Sequence, residues 1–526
     1  MLFRLLNTTR RPAVTPSRRA AYRPRVEALE GRLCPSGGLL DPTFGGGTGE
    51  VSFPWSTSNN AASVATQPQD GKIVSAGNVV TTGGTNEMSI VRLNLDGSLD
   101  TTFNKTGYVD LKVGVSAGAN FVALQPDGKI LVGGSAYPTT KALSGYVDDQ
   151  FVVARLNSNG TLDSTFANKG IFTWDPSSSM QDWVQALAVL SDGSIAVLGQ
   201  TNNLNQGGMV FKLSAGGARM SSFGSGGVTV LNPLYGTSLT GFAVAPNGDL
   251  IISGKGGNTS WNGVGLLFAV NPSTGGLDPG FNNGQGWLAA SYPAGGITDF
   301  NAVTIQGNGI VVAGDYQIQG QGGFGLLARF SLAGALDTGF ASGGYFAMSS
   351  AGGYFTNVAP EPDGSLVVEG TTGYLTVGHL TANGQPDTTF GDAGTGFTVL
   401  SGAIGSGLAI DASGRIVVSG HSGPNVTGQR MAFFARLTPP EAMIGSFTAS
   451  ANPATADGSE TLTASNIANS STITQVAFSY LDSSGNQQLL GYGTQTSPGV
   501  WTFTFTVSLT PGRYTVYAQA EDSAGV

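Results

Sequence analysis

Acidic side chains recur at a fixed distance from an aromatic residue along most of this 526-residue chain. In the clearest example Asp100 lies three residues before Phe103 and eight residues after Arg92. Six such carboxylates could form a ring that binds a cation or supplies acid–base chemistry; they are Asp41, Asp100, Asp163, Asp278, Asp337 and Asp387. Because a functional site is normally unique, the repetition favours a structural role, in which each Asp makes an Asx turn or an ion pair and each Phe fills a gap between repeats.

Other residue types that could do chemistry do not form a recognisable set. Asp96 and Asp100 have the oxygen spacing of a calcium loop, but the bidentate Glu that closes an EF-hand is missing. His379 and His421 have no partner in a sequence motif, and the only cysteine, Cys34, lies near the N-terminus. We therefore predict no catalytic residue, no metal site, no cofactor and a non-enzymatic protein.

The composition favours strands and turns. Glycine contributes 81 residues and charged residues only 11%, and glycine is costly inside helices but suits turns that need positive φ. The net charge is −9, while residues 1–36 carry eight Arg and two Glu, a local +6 that leaves −15 for the rest. This acidic body argues against nucleic acid or anionic membrane as a partner, and we expect no membrane span and a monomer.

The first 36 residues are basic and lack apolar periodicity, and we expect them to form a disordered leader. They contain no uninterrupted apolar segment of the length that a secretory signal needs. The segment Arg25-Val26-Glu27-Ala28-Leu29-Glu30-Gly31-Arg32-Leu33 resembles the LEPR-XLL leader of large bacterial proteins, with Gly31 in place of Pro. The resemblance implies a secreted or cell-surface protein; the alternative is a basic tail without a targeting role.

The aromatic residue of the repeated phrase returns about every 58 residues, at Phe44, Phe103, Phe166, Phe223, Phe281, Phe340 and Phe390. Midway between these positions, two apolar runs flank an Asp-Gly, Asn-Gly or Ser-Gly pair, as at Asp127-Gly128. Such a pair predicts a β-hairpin with a type I′ turn. A third apolar run precedes each phrase and a fourth follows it. Four short strands per period predict a seven-bladed β-propeller over residues 37–438.

The ends of the repeat array are complementary. The last copy stops after Phe433-Phe434-Ala435-Arg436-Leu437, whereas the first copy begins with Leu40-Asp41-Pro42-Thr43-Phe44 and a strand near Glu50 to Phe53. We predict that this N-terminal strand pairs with the strand at Phe433 to Leu437, because closure removes the exposed sheet edges of an open array.

Three recurring phrases resemble the delta-60 repeat of large bacterial surface proteins. They are Gln125-Pro126-Asp127-Gly128-Lys129-Ile130, Ala154-Arg155-Leu156-Asn157 and Leu162-Asp163-Ser164-Thr165-Phe166. The copies drift at Met220, at Ala269 and at His379, the last two of which replace Arg. The resemblance implies a repeat fold in a surface or secreted context and implies no reaction.

After Pro439-Pro440, alternating apolar and polar residues predict a small antiparallel β-sandwich over residues 439–526. The segment Gly512-Arg513-Tyr514-Thr515-Val516-Tyr517-Ala518 resembles bacterial Ig-like modules. Such modules continue into one more strand, so we expect the last strand to be absent before Val526.

Two functions remain open from the sequence. The first is an exported, non-enzymatic propeller that binds a protein or glycan partner through loops of variable length, at Tyr137 to Gln150 and Asn202 to Gly208, with the Ig-like module as a spacer. The second is a carbohydrate-binding or carbohydrate-active protein with a site at the channel mouth. Non-repeated Asp, Glu, Tyr or Arg at that mouth would favour the second function, whereas Gly, Ser and Ala would count against it.

Overall fold

The computed structural model describes most of the chain, namely residues 25–26, 37–53, 58–138, 149–176, 181–201, 207–257, 263–349, 352–391, 394–423, 430–439, 443–450, 458–468, 473–481, 487–497, 499–506, 513–514 and 516–522. The predicted leader, apart from residues 25–26, lies outside this part. So do residues 139–148 and 202–206 of the two loops of variable length.

Strands account for nearly all of the regular structure. The first two are β1 (Arg25–Val26) and β2 (Glu50–Phe53). Six four-stranded antiparallel sheets then follow one another along the chain. Sheet 1 contains β3 (Ser58–Thr66), β4 (Ile73–Val80), β5 (Asn86–Leu93) and β6 (Tyr108–Leu111); sheet 2 contains β7 (Ser116–Leu124), β8 (Ile130–Tyr137), β9 (Gln150–Leu156) and β10 (Ile171–Trp174); sheet 3 contains β11 (Asp182–Val189), β12 (Ile195–Thr201), β13 (Gly208–Leu213) and β14 (Val228–Leu231).

The same order continues in the second half. Sheet 4 contains β15 (Ser238–Val244), β16 (Leu250–Gly256), β17 (Val264–Val270) and β18 (Trp287–Ala290); sheet 5 contains β19 (Ile297–Gln306), β20 (Gly309–Ile318), β21 (Gly322–Ser331) and β22 (Tyr345–Ala347); sheet 6 contains β23 (Tyr354–Pro360), β24 (Leu366–Thr371), β25 (Leu375–Leu380) and β26 (Phe397–Leu400). Two 3-10 turns, Gly45–Gly47 and Asn282–Gly284, are the helical elements of the described residues.

A seventh sheet joins the two ends of the array. It consists of β27 (Ala403–Ile410), β28 (Ile416–Ser422) and β29 (Ala432–Leu437), and its fourth strand is β2. The strand β2 pairs antiparallel with β29, with Glu50 opposite Ala435 and Phe53 opposite Ala432. The pairing predicted for the N-terminal strand is therefore confirmed.

The sheets are arranged as in a β-propeller. The first strand of each sheet packs against the first strand of the next, and β27 of sheet 7 packs against β3 of sheet 1. Buried Phe residues of the repeated phrase lie between neighbouring sheets: the Phe44 ring contacts the turn of sheet 1 at Gly97, and the Phe103 ring contacts that of sheet 2 at Gly160. The core is thus a set of inter-sheet seams around a central channel.

The prediction of type I′ hairpin turns is wrong. In the turn after β7, Gly128 has a φ of +81° but Asp127 is not among the residues with positive φ. The amide of Gly128 donates to the carbonyl of Gln125 at 2.9 Å, and the amide of Lys129 donates to the Asp127 carboxylate at 3.2 Å. Pro126 fixes a negative φ, and the chain forms a type I turn that ends in a left-handed glycine.

The described residues from Met443 onward, together with Arg25–Val26, belong to a second compact unit. Its strands are β30 (Met443–Ala449), β31 (Ser459–Ala468), β32 (Ile473–Leu481), β33 (Gln487–Tyr492), β34 (Thr494–Ser497), β35 (Val500–Thr506), β36 (Arg513–Tyr514) and β37 (Val516–Asp522). One sheet has the order β30-β31-β35-β34 and another has the order β33-β32-β37, while β36 pairs in parallel with β1. Leu462, Phe478 and Trp501 are among the residues of a core of its own.

No helix among the described residues has the length and apolar character needed to cross a membrane.

Candidate functional site

A cavity of about 720 Å³ lies where the first strands of the seven sheets converge. Each of these strands carries a β-bulge that adds one residue opposite its neighbour. The extra residues are Ala62, Asn120, Gln185, Thr240, Asn301, Thr356 and Ser406, and all of them line the cavity. A bulge re-aims its side chain, so every sheet presents one residue to the channel.

A glycine opposes each bulge on the second strand of the sheet. In sheet 5 this residue is Gly314, where a Cβ would collide with the carbonyl oxygen of Asp299. In sheet 4 a Cβ at Gly254 would lie 2.5 Å from the carbonyl oxygen of Ser238. The full set is Gly77, Gly134, Gly199, Gly254, Gly314, Gly370 and Gly420. At six of these positions a Cβ would collide with a carbonyl oxygen of the first strand, whereas at Gly199 it would collide with the Phe151 ring.

Several bulge side chains join neighbouring sheets. The Thr240 hydroxyl of sheet 4 donates to the carbonyl of Phe300 in sheet 5 at 2.5 Å, and the Asn301 amide donates to the carbonyl of Phe355 in sheet 6 at 3.0 Å. The amide of Asn120 likewise reaches the Val184 carbonyl of sheet 3 at 3.2 Å. These polar groups therefore serve first to hold the inner strands together.

The cavity is chemically asymmetric. Sheets 7 and 1 contribute small residues to its wall, which include Gly405, Gly407 and Ala62. Sheets 4, 5 and 6 contribute the charged residues and most of the larger polar ones, namely Lys255, Asp299, Asn301, Asp315, Gln317, Tyr354, Thr356 and Asn357, while sheets 2 and 3 add Asn120 and Gln185. The two compositions considered from the sequence are thus both present: small residues line one arc of the channel, and charged residues that do not repeat line another.

The charged residues on this arc are connected. Lys255 Nζ of sheet 4 lies 2.9 Å from Asp299 Oδ2 of sheet 5, an ion pair that crosses the seam. Asp299 and Asp315 face each other across β19 and β20. The amides of Asn301 and Gln317 donate to the two oxygens of Asp315 at 3.1 and 3.0 Å. The arrangement holds two carboxylates, one ammonium group and two amides around a single space.

Asp315 is a buried carboxylate of this cluster. Burial raises the pKa of Asp315, and the negative charge of Asp299 adds to this effect while the hydrogen bonds from Gln317 and Asn301 oppose it. Tyr354, which lines the same cavity, is 45% exposed. Carboxylates and amides that accept and donate hydrogen bonds, beside an exposed aromatic ring, are groups that can bind hydroxyl-rich ligands.

The repeated Asp residues lie away from this cavity. In sheet 2, Arg155 Nε lies 2.8 Å from Asp163 Oδ2, and the Thr165 amide and hydroxyl donate to Asp163 Oδ1 at 3.0 and 2.6 Å. The Arg155 guanidinium also lies over the Phe166 ring, 4.5 Å from its centre, and donates to the carbonyl of Ala215 in sheet 3 at 2.5 Å. The group is thus a corner that joins two sheets. The same Arg–Asp ion pair forms in sheets 1, 5 and 7, whereas sheet 4 has Ala269 in place of the Arg.

The suggested calcium ligands are already engaged. Asp96 accepts hydrogen bonds from the amide and hydroxyl of Ser98 at 2.9 and 2.6 Å. Asp100 Oδ2 lies 2.6 Å from Arg92 Nε and 2.9 Å from Lys72 Nζ. Among the described residues no group of three or more His, Cys, Asp or Glu side chains could hold a metal ion.

His379 occupies the place of the repeated Arg in sheet 6. Its Nε2 lies 2.7 Å from Glu361 Oε2 and its Nδ1 lies 2.9 Å from Asp387 Oδ2. Burial lowers the pKa of His379, but the hydrogen bonds and charges of Asp387 and Glu361 outweigh it and raise the pKa to about 9. The ring is therefore charged at neutral pH and replaces the Arg of the other corners. The other histidine, His421, lies elsewhere in the fold: its Nδ1 is 3.0 Å from the Ser422 carbonyl oxygen.

The sequence contained a usable signal for the cavity residues. A recurrent glycine in the second strand, such as Gly134 or Gly314, marks the bulge that faces it, and the variable residues beside that bulge line the channel. Asp299, Asp315 and Tyr354 could have been found in this way, since none of them repeats between sheets.

Comparison with known proteins agrees with the fold. Residues 69–103 and 125–166 match a family described as "Domain of unknown function (DUF5122) beta-propeller". The protein is a β-propeller repeat protein. No curated protein matches it.

Solved structures with a similar arrangement have little sequence in common with this propeller. An aldose sugar dehydrogenase with bound PQQ from Streptomyces coelicolor is 14% identical, covers 74% of this chain and 98% of its own, and has a TM-score of 0.34. A protein of unknown function from Dyadobacter fermentans is 14% identical over 74% and 97% of the two chains, with a TM-score of 0.37. An α-L-arabinofuranosidase from Clostridium thermocellum is 10% identical over 54% and 94%, with a TM-score of 0.28.

Proposed function

We propose that the protein is an exported, non-enzymatic, seven-bladed β-propeller of the delta-60 repeat type that binds a carbohydrate in its central channel. Each of the seven four-stranded sheets would be one blade, including the sheet in which β2 pairs with β29. The residues from Met443 onward would be an Ig-like module that acts as a spacer. The carbohydrate part of the proposal rests on one observation, which is the polar cluster of Lys255, Asp299, Asp315 and Tyr354 on one arc of the cavity.

The cluster supports a binding role because it departs from the repeat. Residues that hold the fold together recur from sheet to sheet, as the Arg155–Asp163 corner does. Asp299 and Asp315 have no counterpart of the same type at the paired positions of the other sheets, which include Asn60 with Asn78 and Ser238 with Lys255. A structural role alone gives no reason to place two carboxylates side by side at the edge of a cavity.

The cavity also has a size and composition that suit a sugar. About 720 Å³ lies within the range of small-molecule sites. Hydroxyl groups can donate to Asp315 and accept from the Gln317 amide, while the face of a sugar ring can pack on the exposed ring of Tyr354. These contacts require no covalent step.

Binding can be tested with a glycan array and with calorimetry. Soluble cellotetraose, xylotetraose, arabinotetraose and N-acetylchitotetraose are suitable probes. We expect at least one to bind, and we expect Asp315→Ala and Tyr354→Ala each to weaken binding by tenfold or more, about 1.4 kcal/mol. Tyr235→Ala is a matched control, because Tyr235 is 56% exposed and does not line the cavity.

Three outcomes would contradict parts of the proposal. An array without binding, or variants that bind as the wild type does, would remove the carbohydrate site and favour an interaction scaffold that uses the loops at Tyr137 to Gln150 and Asn202 to Gly208. Cleavage of a probe, seen by chromatography, would contradict the non-enzymatic part. An intracellular location on fractionation of the native cells would contradict export, which rests on the leader-like segment at residues 25–33.

A further inference from the structure

Glu369 departs from the repeat at a position that is otherwise never ionisable. It lies on β24 and pairs with Asn357, the residue after the bulge of sheet 6. The corresponding residues of the other six sheets are Ala76, Gly133, Leu198, Ser253, Ala313 and Ser419. A carboxyl group has thus been placed in a seam where the fold needs only a small or apolar side chain.

The Glu369 side chain is fully buried, with 0% of its surface exposed. Its Oε2 accepts hydrogen bonds from the Thr356 hydroxyl at 2.7 Å and from the Asn357 amide at 2.6 Å. Its Oε1 has no hydrogen-bond partner among the described residues. This second oxygen lies against Gly405 of sheet 7, where a Cβ would collide with it. An ionised carboxylate gains little stabilisation in such surroundings.

Among the described residues no cationic side chain compensates the charge of an ionised Glu369. Three strands pack against β24, namely β23, β25 and β27. The only ionisable residue of β23 is Tyr354, β27 has none, and β25 has His379, which lies between Glu361 and Asp387. No ion pair joins Glu369 to any described residue. Burial, opposed by the hydrogen bonds from Asn357 and Thr356, raises the pKa of Glu369 to about 7.

The two donors to Glu369 are themselves cavity residues. Thr356 and Asn357 line the cavity, as do Gly405 and Ser406 on the facing strand. The Asn357 amide also donates to the carbonyl of Ser406 at 3.4 Å, so it links sheet 6 to sheet 7. The contacts of Glu369 therefore fix the part of the wall where the two sheets meet.

We propose that Glu369 is a positioning residue that, while its carboxyl is neutral, holds Thr356 and Asn357 in the cavity wall, and that ionisation places an uncompensated charge in the buried seam, which loosens the seam and weakens binding in the channel. The part that concerns binding rests on the carbohydrate function proposed above. The part that concerns the seam does not need a ligand. In both parts the form of Glu369 that keeps the seam closed is the neutral carboxyl, which predominates below neutral pH.

The seam is tested first, without a ligand, by amide hydrogen exchange of the full-length protein at pH 5.5 and pH 8.5, corrected for the intrinsic rate. Exchange in peptides that cover β23 and β27 should rise at pH 8.5 in the wild type. In Glu369→Gln, a neutral side chain of the same shape, it should stay low at both pH values. Asp249→Asn is the control, because Asp249 is another buried carboxyl whose pKa burial raises, it lies in the hairpin turn of sheet 4 and does not line the cavity, and its substitution should leave the rise in place. An equal rise in wild type and Glu369→Gln would overturn the proposal.

Binding of the oligosaccharide probes is measured next, at the same two pH values. With a pKa of about 7, about 3% of the wild type keeps the proton at pH 8.5, so the apparent Kd should rise by up to about 30-fold. Glu369→Gln should bind equally at both. Glu369→Ser, which has the residue of sheets 4 and 7, should bind weakly and without this pH dependence. The same pH dependence in all three proteins would overturn the positioning role.

The two proposals fail in distinguishable ways. If no probe binds the wild type at either pH, the carbohydrate function is wrong, and the exchange measurement alone decides the role of Glu369. If probes bind but exchange and affinity ignore the substitution, the carbohydrate function stands and the role of Glu369 is wrong.

Discussion

Buried ionisable side chains in this propeller respond to pH in two opposite ways. The hydrogen bond from the Thr165 hydroxyl, with that from its amide and the charge of Arg155, outweighs burial and holds the pKa of Asp163 below its usual range. Such carboxylates stabilise the folded state above about pH 4 and stop doing so as pH falls. Burial raises the pKa of Glu369 and of Asp315, so their contribution falls as pH rises from the ordinary carboxyl pKa to the raised one. The carboxyl groups with a lowered pKa and those with a raised pKa together favour maximum stability of the folded state in mild acid.

His379 allows a sharp test of a corner that uses imidazole in place of guanidinium. Its pKa of about 9 in the folded chain exceeds the ordinary value of about 6.5, so its contribution is complete below pH 6.5 and is lost as pH rises through 9. In sheet 5 the same places hold Arg329 and Gln306, whose side chains lie 2.8 Å apart. We expect His379→Arg with Glu361→Gln to remove a loss of up to about 3 kcal/mol between pH 6 and pH 9.5.

Urea unfolding of the two proteins at both pH values measures this difference. Lysines and tyrosines titrate equally in both, so they cancel. Parallel pH profiles for wild type and double variant would show that His379 is uncharged in the folded protein.

The glycines opposite the bulges are expected to be intolerant of a methyl group. Gly314→Ala would place a Cβ against the Asp299 carbonyl, and we expect a loss of about 1 to 3 kcal/mol, as for other overpacked sites. Gly216→Ala is the control: Gly216 is exposed, and its Cβ would lie 3.8 Å from the nearest heavy atom, so less than about 0.5 kcal/mol should change. Thermal or urea unfolding measures both. Similar stabilities for the two variants would mean that the bulge can relax.

At the scale of elements, β2 completes a sheet whose other strands come from the far end of the repeat array. Its hydrogen bonds with β29 are reinforced by the ion pair of Arg436 with Asp41, whose Nε and Oδ2 lie 2.7 Å apart. The Arg436 guanidinium also lies over the Phe44 ring, 4.9 Å from its centre. In this sheet the group of Arg, Asp and Phe joins residues from the two ends of the repeat array.

Deletion of residues 37–53 should open this sheet. The edge of β29 would then lack its partner, and we expect faster cleavage by proteases and association between molecules, because unpaired edges pair with other chains. A synthetic peptide of residues 37–53 added in trans should restore protease resistance, whereas a scrambled peptide should not. Size-exclusion chromatography and limited proteolysis follow both effects. Undiminished resistance of the deletion variant would mean that β2 is dispensable.

The elements were predictable to different degrees. Repetition made the strands, the Arg155–Asp163 corner and the pairing of β2 visible, since each has several copies that share one spacing. The turn type was not, because the connection is one residue longer than the two-residue loop that favours type I′. The turn from Leu190 to Gly193, which lacks Pro, is closed by the same hydrogen bonds as the turn from Gln125 to Gly128. The positions of Asp299 and Tyr354 beside the bulges were detectable from the recurrent glycines, but their grouping with Lys255 was not, because the three residues come from three sheets that only the folded chain brings together.

At the scale of the whole molecule, the two compact units have separate cores and should unfold separately. We expect two transitions in scanning calorimetry. Trp501, 8% exposed in the core of the second unit, is the probe: Trp501→Ala should lower the stability of one transition by about 3 to 5 kcal/mol and leave the other unchanged. A single transition that shifts as a whole would show that the units unfold together.

The ion pair between Asp41 and Arg436 also imposes an order on biosynthesis, because 395 residues separate its two members. At about 5 to 20 residues per second, roughly 20 to 80 s pass between the synthesis of β2 and that of its partner strand. During this time the first six sheets can form one after another on the ribosome. The strand β2 has no partner in its own sheet until β29 has been synthesised. Closure of the ring therefore has to wait until the last repeat has been synthesised.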